Sequence, residues 1–241
     1  MQEKRISVLS VGFDNISKDE AVARAMALME GHRDNCPYIV TPNPEMVMKC
    51  QQDAEFAEVL ADADLALADG VGVVYGANIL GTPLKEKIPG IDFAEELLHK
   101  MSKKNMSVFL YGSKPGVAMT AGDRLKEKYP GLVIAGTHHG YDDDEDAVVR
   151  RINEAKPDFL FVCLGFPRQE MWLYRNRGRL DVKLAAALGG SLDVISGQVE
   201  RAPEGFQRLG LEWLYRLIKE PSRFGRMKVL PIYLLKVIRS R

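Results

Sequence analysis

Seven short apolar runs, each separated from the next by a stretch with helical spacing, constrain this chain more than any other feature. The runs are "ISVLSVGF" (6–13), "PYIVT" (37–41), "LALA" (65–68), "MSVFLYG" (106–112), "LVIAGT" (132–137), "FLFVCLG" (159–165) and "KLAAALG" (183–189). They are β-branched or continuously apolar, as strands covered on both faces are. Helical patterns fall at 18–31, roughly 45–62, 71–80, 91–104, 115–128, 143–155 and 168–177. Ser17 followed by acidic residues marks the first of these as a helix start. Strands buried on both faces and joined by helices predict an α/β fold with a mostly parallel sheet flanked by helices. The 241 residues suit one such domain over 1–200 with an appendage over 201–241.

In sheets of this kind ligands bind beyond the carboxyl ends of the strands. The residues there are Thr41 and Asn43; Asp69 with Gly70 and Gly72; Gly112 within "YGSKPG"; Tyr141 in "THHGY"; Gln169 in "GFPRQE"; and Asp193 in "GGSLD". Nearly every strand delivers glycine and a polar group, and several lead into helix N-termini, whose free N–H groups suit phosphate oxygens. Two readings stay open for Asp69: a general base, if a proton donor lies within reach, or a helix N-cap. Thr41 and Asn43 suit a helix cap as well as a site. Gln169 and Glu170 read as a capping box or as solvent-exposed.

Several functions are excluded by missing parts. "DGVGVVYG" lacks the third glycine and the later acidic residue of a dinucleotide loop, which argues against a nicotinamide oxidoreductase. No phosphate-loop signature of a kinase occurs. The acidic runs at 142–146 and 62–64 suit a helix start and a helix-to-strand turn better than a metal site. His138 and His139 have no third ligand at metal spacing. We therefore expect no obligatory metal and no other cofactor. A non-catalytic scaffold is hard to square with so many polar strand ends.

The net charge of zero hides an asymmetry. From Arg201 onward ten Lys/Arg face three Glu, a net +7, so the body carries −7. A basic tail on an acidic body suits an anionic partner. Apolar residues at helical spacing lie between the arginines from Phe206 to Ile218, and Pro221, Gly225 and Pro231 are expected to divide the segment into short pieces. The aliphatic content favours lipid over nucleic acid. Packing on the body or on a second subunit, the latter giving a homo-oligomer, is the other reading of that apolar side. The run "VLPIYLLKVI" is too short to span a bilayer, and the N-terminus has no signal-peptide pattern. Cys36, Cys50 and Cys163 have no metal or redox spacing and read as thiols in a reducing compartment.

Seven segments together carry a resemblance: "TPNPEMV", "ADADLALADGVGVVYGANILG", "KIPGIDF", "YGSKPGVA", "GFPRQEMW", "GGSLDVISGQVERAPE" and "GLEWLYRLIKEPSRFGR". In this order and spacing they closely resemble the WecG/TagA/CpsF family of bacterial glycosyltransferases. The resemblance implies a Rossmann-like fold of the GT-E type and an inverting, metal-independent transfer in cell-surface polysaccharide synthesis. The implied donor is UDP-N-acetylmannosamine and the acceptor N-acetylglucosaminyl-diphospho-undecaprenol; N-acetylmannosaminuronate or another UDP-hexose is the alternative donor. It implies an enzyme at the inner face of the plasma membrane, with the tail completing the active site there.

By the same resemblance Asp69 is the base, Thr41 and Asn43 contact the donor sugar and orient the base, and Gln169 lies near the leaving group. Asp193 and Tyr141 bind the nucleotide, and Gly112 joins the substrate-binding set. Where the family often has arginine, "EKIPG" has Lys87, which keeps the charge for the diphosphate but loses the planar fork. Arg201, Arg216, Arg223 and Arg226 are expected to close over the site with the tail.

Overall fold

The computed structural model describes residues 5–31, 34–208, 210–219, 225 and 228–241, apart from the side chains of residues 208 and 216. A hairpin, β1 (Ile6–Val8) and β2 (Val11–Phe13), leads into α1 (Lys18–Glu30), β3 (Tyr38–Val40), α2 (Pro44–Cys50), α3 (Ala54–Asp62), β4 (Leu65–Ala66) and α4 (Val71–Ile79). Then come α5 (Gly90–Lys103), β5 (Ser107–Gly112), α6 (Val117–Lys128), β6 (Val133–His138), α7 (Glu145–Ala155), β7 (Phe159–Cys163), α8 (Arg168–Asn176), β8 (Leu184–Ala187) and α9 (Ser191–Ile195). The tail contributes α10 (Glu204–Arg208), α11 (Glu212–Lys219) and α12 (Val229–Arg239).

Strands β3 to β8 form one six-stranded sheet, parallel throughout, in the order β4-β3-β8-β7-β5-β6. Successive strand residues point to opposite faces, and each face has its own core. Phe159, Phe161 and Cys163 of β7 pack with α1, α5 and α6, while Leu160 and Val162 pack with α2, α3, α7 and α8. This is why the strand sequences lack polar alternation. The thiols of Cys36 and Cys163 are buried and pushed up to about 12 by desolvation, which makes them inert at neutral pH.

Two local expectations are corrected. The run 6–13 is a hairpin with Val8 opposite Val11, because Leu9 (φ 48°) and Ser10 (φ 69°) both take left-handed backbone. A two-residue turn of that geometry usually announces itself with Asn-Gly; Leu-Ser does not. The pattern over 45–62 is two helices, since the Asp53 side chain accepts from Phe56 N–H at 3.0 Å and starts α3 anew.

The short edge strand β4 is covered rather than left open. Asp14 accepts from Ala66 N–H at 2.8 Å through its side chain and donates its own N–H to the Ala66 carbonyl at 2.9 Å.

The last tail helix belongs to the body. Tyr233 and Val237 are fully buried in the core cluster that contains α2 and α4. Burial of two such side chains stabilises the docked helix by roughly 1.5–3 kcal/mol each, more than surface ion pairs supply. Pro231 does not break α12. It sits in the first turn, where backbone N–H groups have no intrahelical partner to lose. Pro221 lies outside the described residues.

The approach of α12 to α4 depends on Gly76, where an added Cβ would lie 2.2 Å from the Tyr233 hydroxyl. That hydroxyl is buried without a hydrogen-bond partner among the described residues. Gly76→Ala should therefore lower stability by about 1–3 kcal/mol from overpacking, and Tyr233→Phe alone should cost nothing, since it removes an unsatisfied group. In urea titrations the double variant should regain most of the loss; strictly additive effects would refute the contact.

Candidate active site

The corner after β3 is fixed from both sides. Asn43 is the N-cap of α2: its side-chain oxygen accepts from Met46 N–H at 3.1 Å, with Pro44 opening the helix. Thr41 is buried and its hydroxyl donates to the Ala187 carbonyl at the end of β8, 3.3 Å away. Asp69 comes alongside because its N–H donates to the Pro42 carbonyl at 3.1 Å. The helix that follows has Gly70, not Asp69, at its cap position. Gly70 at φ 90° makes the turn that an L side chain would strain. Asn43 does cap its helix.

A second cluster closes the ends of β7 and β8. Gln169 accepts from Gly189 N–H at 3.1 Å and donates from Nε2 to Glu170 Oε1 at 2.7 Å. Both side chains are buried, Gln169 at 3% exposure and Glu170 at 0%. The expectation of a capping box or a solvated pair is therefore wrong. The reason lies in the tight loop from Gly165, which turns the first turn of α8 inward over β8. Among the described residues Glu170 Oε2 has no hydrogen-bond partner, and desolvation pushes the carboxyl up to about 7 against the pull of Gln169. Asp193 lies on α9 close by: a Cβ on Gly190 would be 3.6 Å from its Oδ2.

The remaining residues frame these two clusters. Lys87 precedes Ile88, whose N–H donates to the Ala68 carbonyl at 2.8 Å beside Asp69. Its ammonium pairs with Glu212 of α11 at 2.9 Å, so a tail carboxylate meets the lysine expected to hold diphosphate. Arg201 pairs with Asp92 in the first turn of α5. The tail also lies on the start of α4: a Cβ on Gly210 would be 3.1 Å from Val71, and one on Gly72 would be 3.7 Å from Leu230. Arg223 and Arg226 lie outside the described residues, as does the side chain of Arg216.

Farther along the sheet, Tyr141 is exposed beside the stacked rings of His138 and His139. Those histidines line a hollow of about 210 Å³ with Gly116 and Thr137. Gly112 is buried, and a Cβ there would fall 2.2 Å from the Cys163 carbonyl oxygen, so packing alone requires glycine. The acidic runs have structural partners: Asp144 caps α7, Asp142 bonds His138, Asp146 pairs with Arg179, and Asp62 with Arg177. Among the described residues no group of three His, Cys, Asp or Glu could hold a metal ion. Glu170, Glu212 and Asp92 escaped sequence reasoning; only the three-dimensional placement of α5, α8 and α11 gives them partners.

Glu170 sets a pH signature. A carboxyl whose folded value lies above its unfolded one binds more protons when folded, so its burial carries no ionisation cost below about pH 4.5, and that cost grows until about pH 7. Full ionisation costs at most about 3 kcal/mol. Glu170→Gln lacks that dependence, so its Tm should gain on the wild type as pH rises from 5 to 8. A constant difference across that range would count against the shift.

Comparisons with known proteins give the family of the chain. The family model described as "Glycosyl transferase WecG/TagA/CpsF family" matches residues 6–241. An N-acetylglucosaminyldiphosphoundecaprenol N-acetyl-beta-D-mannosaminyltransferase of Staphylococcus aureus (strain MRSA252) is 36% identical over 98% of this chain and 93% of its own length. A protein of the same name from Bacillus spizizenii is 41% identical over 84% of this chain and 79% of its own. The chain belongs to the WecG/TagA/CpsF family and is a glycosyltransferase.

Proposed function

We propose that this enzyme moves N-acetylmannosamine from UDP-N-acetylmannosamine to a hydroxyl of N-acetylglucosaminyl-diphospho-undecaprenol, with inversion and without a metal. The observation that supports this reading is the hydrogen bond from Asp69 N–H to the Pro42 carbonyl, which joins the backbone of Asp69 to the corner of Thr41 and Asn43 at adjoining strand ends. The donor and acceptor follow from the names of the relatives.

In one in-line step the acceptor oxygen bonds to the anomeric carbon. The bond from that carbon to the diphosphate breaks, and UDP leaves with its electron pair. Asp69 takes the proton from the acceptor hydroxyl. Thr41 and Asn43 hold the sugar: the Asn43 oxygen is spent on the helix cap, which leaves its amide N–H groups to donate. Gln169 lies toward the leaving group, and Asp193 and Tyr141 toward the nucleotide. Lys87 meets the diphosphate. Its partly exposed pair with Glu212 contributes about 1 kcal/mol or less and yields to a doubly charged ligand. The metal-free reading is supported by the acidic runs, whose carboxylates are already engaged by backbone and basic side chains.

The tail meets the membrane surface. Among the described residues no helix is long and apolar enough to cross a membrane. Ile232, Leu235 and Ile238, each 55–56% exposed, line the outer side of α12 next to Lys228, Lys236 and Arg239. An apolar row edged with cations suits an interface of anionic lipid.

The first experiment is UDP release from UDP-N-acetylmannosamine with a short-chain lipid-diphosphate-N-acetylglucosamine acceptor, with and without EDTA. Acceptor-dependent release that survives EDTA is expected, and Asp69→Asn should lower it by about 10²- to 10⁴-fold at unchanged Tm. Release only with UDP-N-acetylmannosaminuronate would replace the donor; undiminished release from Asp69→Asn would remove the base. Replacing Ile232, Leu235 and Ile238 with serine should leave the Tm within about 2 °C, since these side chains are outside the core. The same variant should lose sedimentation with anionic vesicles. Unchanged sedimentation would dispose of the membrane role.

A further inference from the structure

A carboxyl group with no exposure and no counter-charge needs a reason, because desolvation penalises it and an apolar side chain of similar size would not be penalised. Glu170 is such a group. Among the described residues no lysine, arginine or histidine is bonded to it, its Oε2 has no partner, and its Oε1 accepts a single bond, from Gln169. That bond defines the orientation of a neighbouring amide. Gly189 N–H can only donate, so the Gln169 atom facing it is the oxygen, and Nε2 must then face Glu170. Of the two N–H groups and two lone pairs of the Gln169 amide, one of each is spent in this way, and one of each remains for a ligand. The last torsion of glutamine is broad and roughly two-fold, so without an acceptor at Glu170 the nitrogen end of the amide has no stop.

The position matters because Gly189 follows β8 directly and β8 carries the Ala187 carbonyl that holds Thr41. Gln169 is thus attached to the same strand end as the residue proposed to hold the donor sugar. We propose that Glu170 is a positioning residue, which through its single hydrogen bond fixes the Gln169 amide against the sugar diphosphate without touching the substrate itself. This rests on the transferase reading for its ligand, but the amide geometry can be tested without it.

Two variants and two readouts decide the matter. Glu170→Leu removes the acceptor and the buried charge together; Glu170→Gln keeps an acceptor oxygen in the same place. Glu170→Leu should fold with a Tm at or above the wild type at pH 8, yet lose at least about tenfold in kcat while the donor KM changes less than about threefold. Glu170→Gln should recover most of the lost kcat. Independently of transfer, the Gln169 side-chain NH₂ pair in a ¹H–¹⁵N spectrum, assigned by its loss in Gln169→Glu, should be distinct and protected from solvent exchange. That protection should hold in wild type and Glu170→Gln and be lost in Glu170→Leu. An unchanged NH₂ pair in Glu170→Leu, or equal kcat losses in the two Glu170 variants, overturns the proposal. If the wild type releases no UDP from any donor, the transferase reading fails, and the NH₂ pair alone then decides for or against Glu170.

Discussion

A sheet buried on both faces leaves polar side chains nowhere to stand except at the strand ends, and the rest of this molecule follows from that restriction. Every side chain of β3, β7 and β8 is buried, on one face or the other. Parallel strands carry all their carboxyl ends to one side, so Thr41, Asp69, Gln169 and Asp193 gather there from segments far apart in sequence. Hydrogen bonds to the backbone hold much of this gathering. Asp69 is set by the Pro42 carbonyl, Gln169 by Gly189 N–H and Thr41 by the Ala187 carbonyl. Such bonds do not depend on pH or salt, and they preorganise the site before a ligand arrives.

The weakest part of that arrangement is β4, which is two residues long and lies at the sheet edge. It nevertheless delivers Asp69. Three supports compensate. Asp14 closes the outer edge, Ile88 N–H bonds the Ala68 carbonyl beyond the strand, and the tail lies over the start of α4 at Val71 and Gly72. The turn carrying the candidate base is thus braced by the N-terminal hairpin region, by the loop of Lys87 and by the C-terminal segment. Glycine at 72 and 76 lets α4 sit close to Pro44 and Tyr233, and a side chain at either place would push the brace away.

The sequence made legible what depends on periodicity and on strong local signals. Continuous apolar runs indicated the parallel sheet, Ser17 the start of α1, and polar residues at strand ends the location of the site. What escaped depended on weak turn chemistry or on long-range partners. Leu9-Ser10 turns a chain without a turn residue. Asp53 restarts a helix inside an unbroken apolar pattern. Glu170 looks like an ordinary helix-start acid until β8 packs over it. The Lys87–Glu212 pair spans 125 positions, and no local reading of "EKIPG" could supply it. Residues at the site were visible as types, and their partners were not.

The tail raises a question of order: whether a lipid surface folds α12 onto the body or meets it already folded. The packing answers it. Tyr233 and Val237 enter the same core as Val47, Val73 and Ala77, so the inner side of α12 is buried by intramolecular contacts alone. The outer row at Ile232, Leu235 and Ile238 is left more than half exposed by the body. A membrane can therefore orient this helix without having to create it. Because Leu230 of the same helix lies near Gly72, three positions from Asp69, the turn of the candidate base touches the helix that carries the row proposed to meet lipid. An acceptor whose diphosphate sits at the headgroup level would then meet a site whose approach is already set by how α12 rests on the surface.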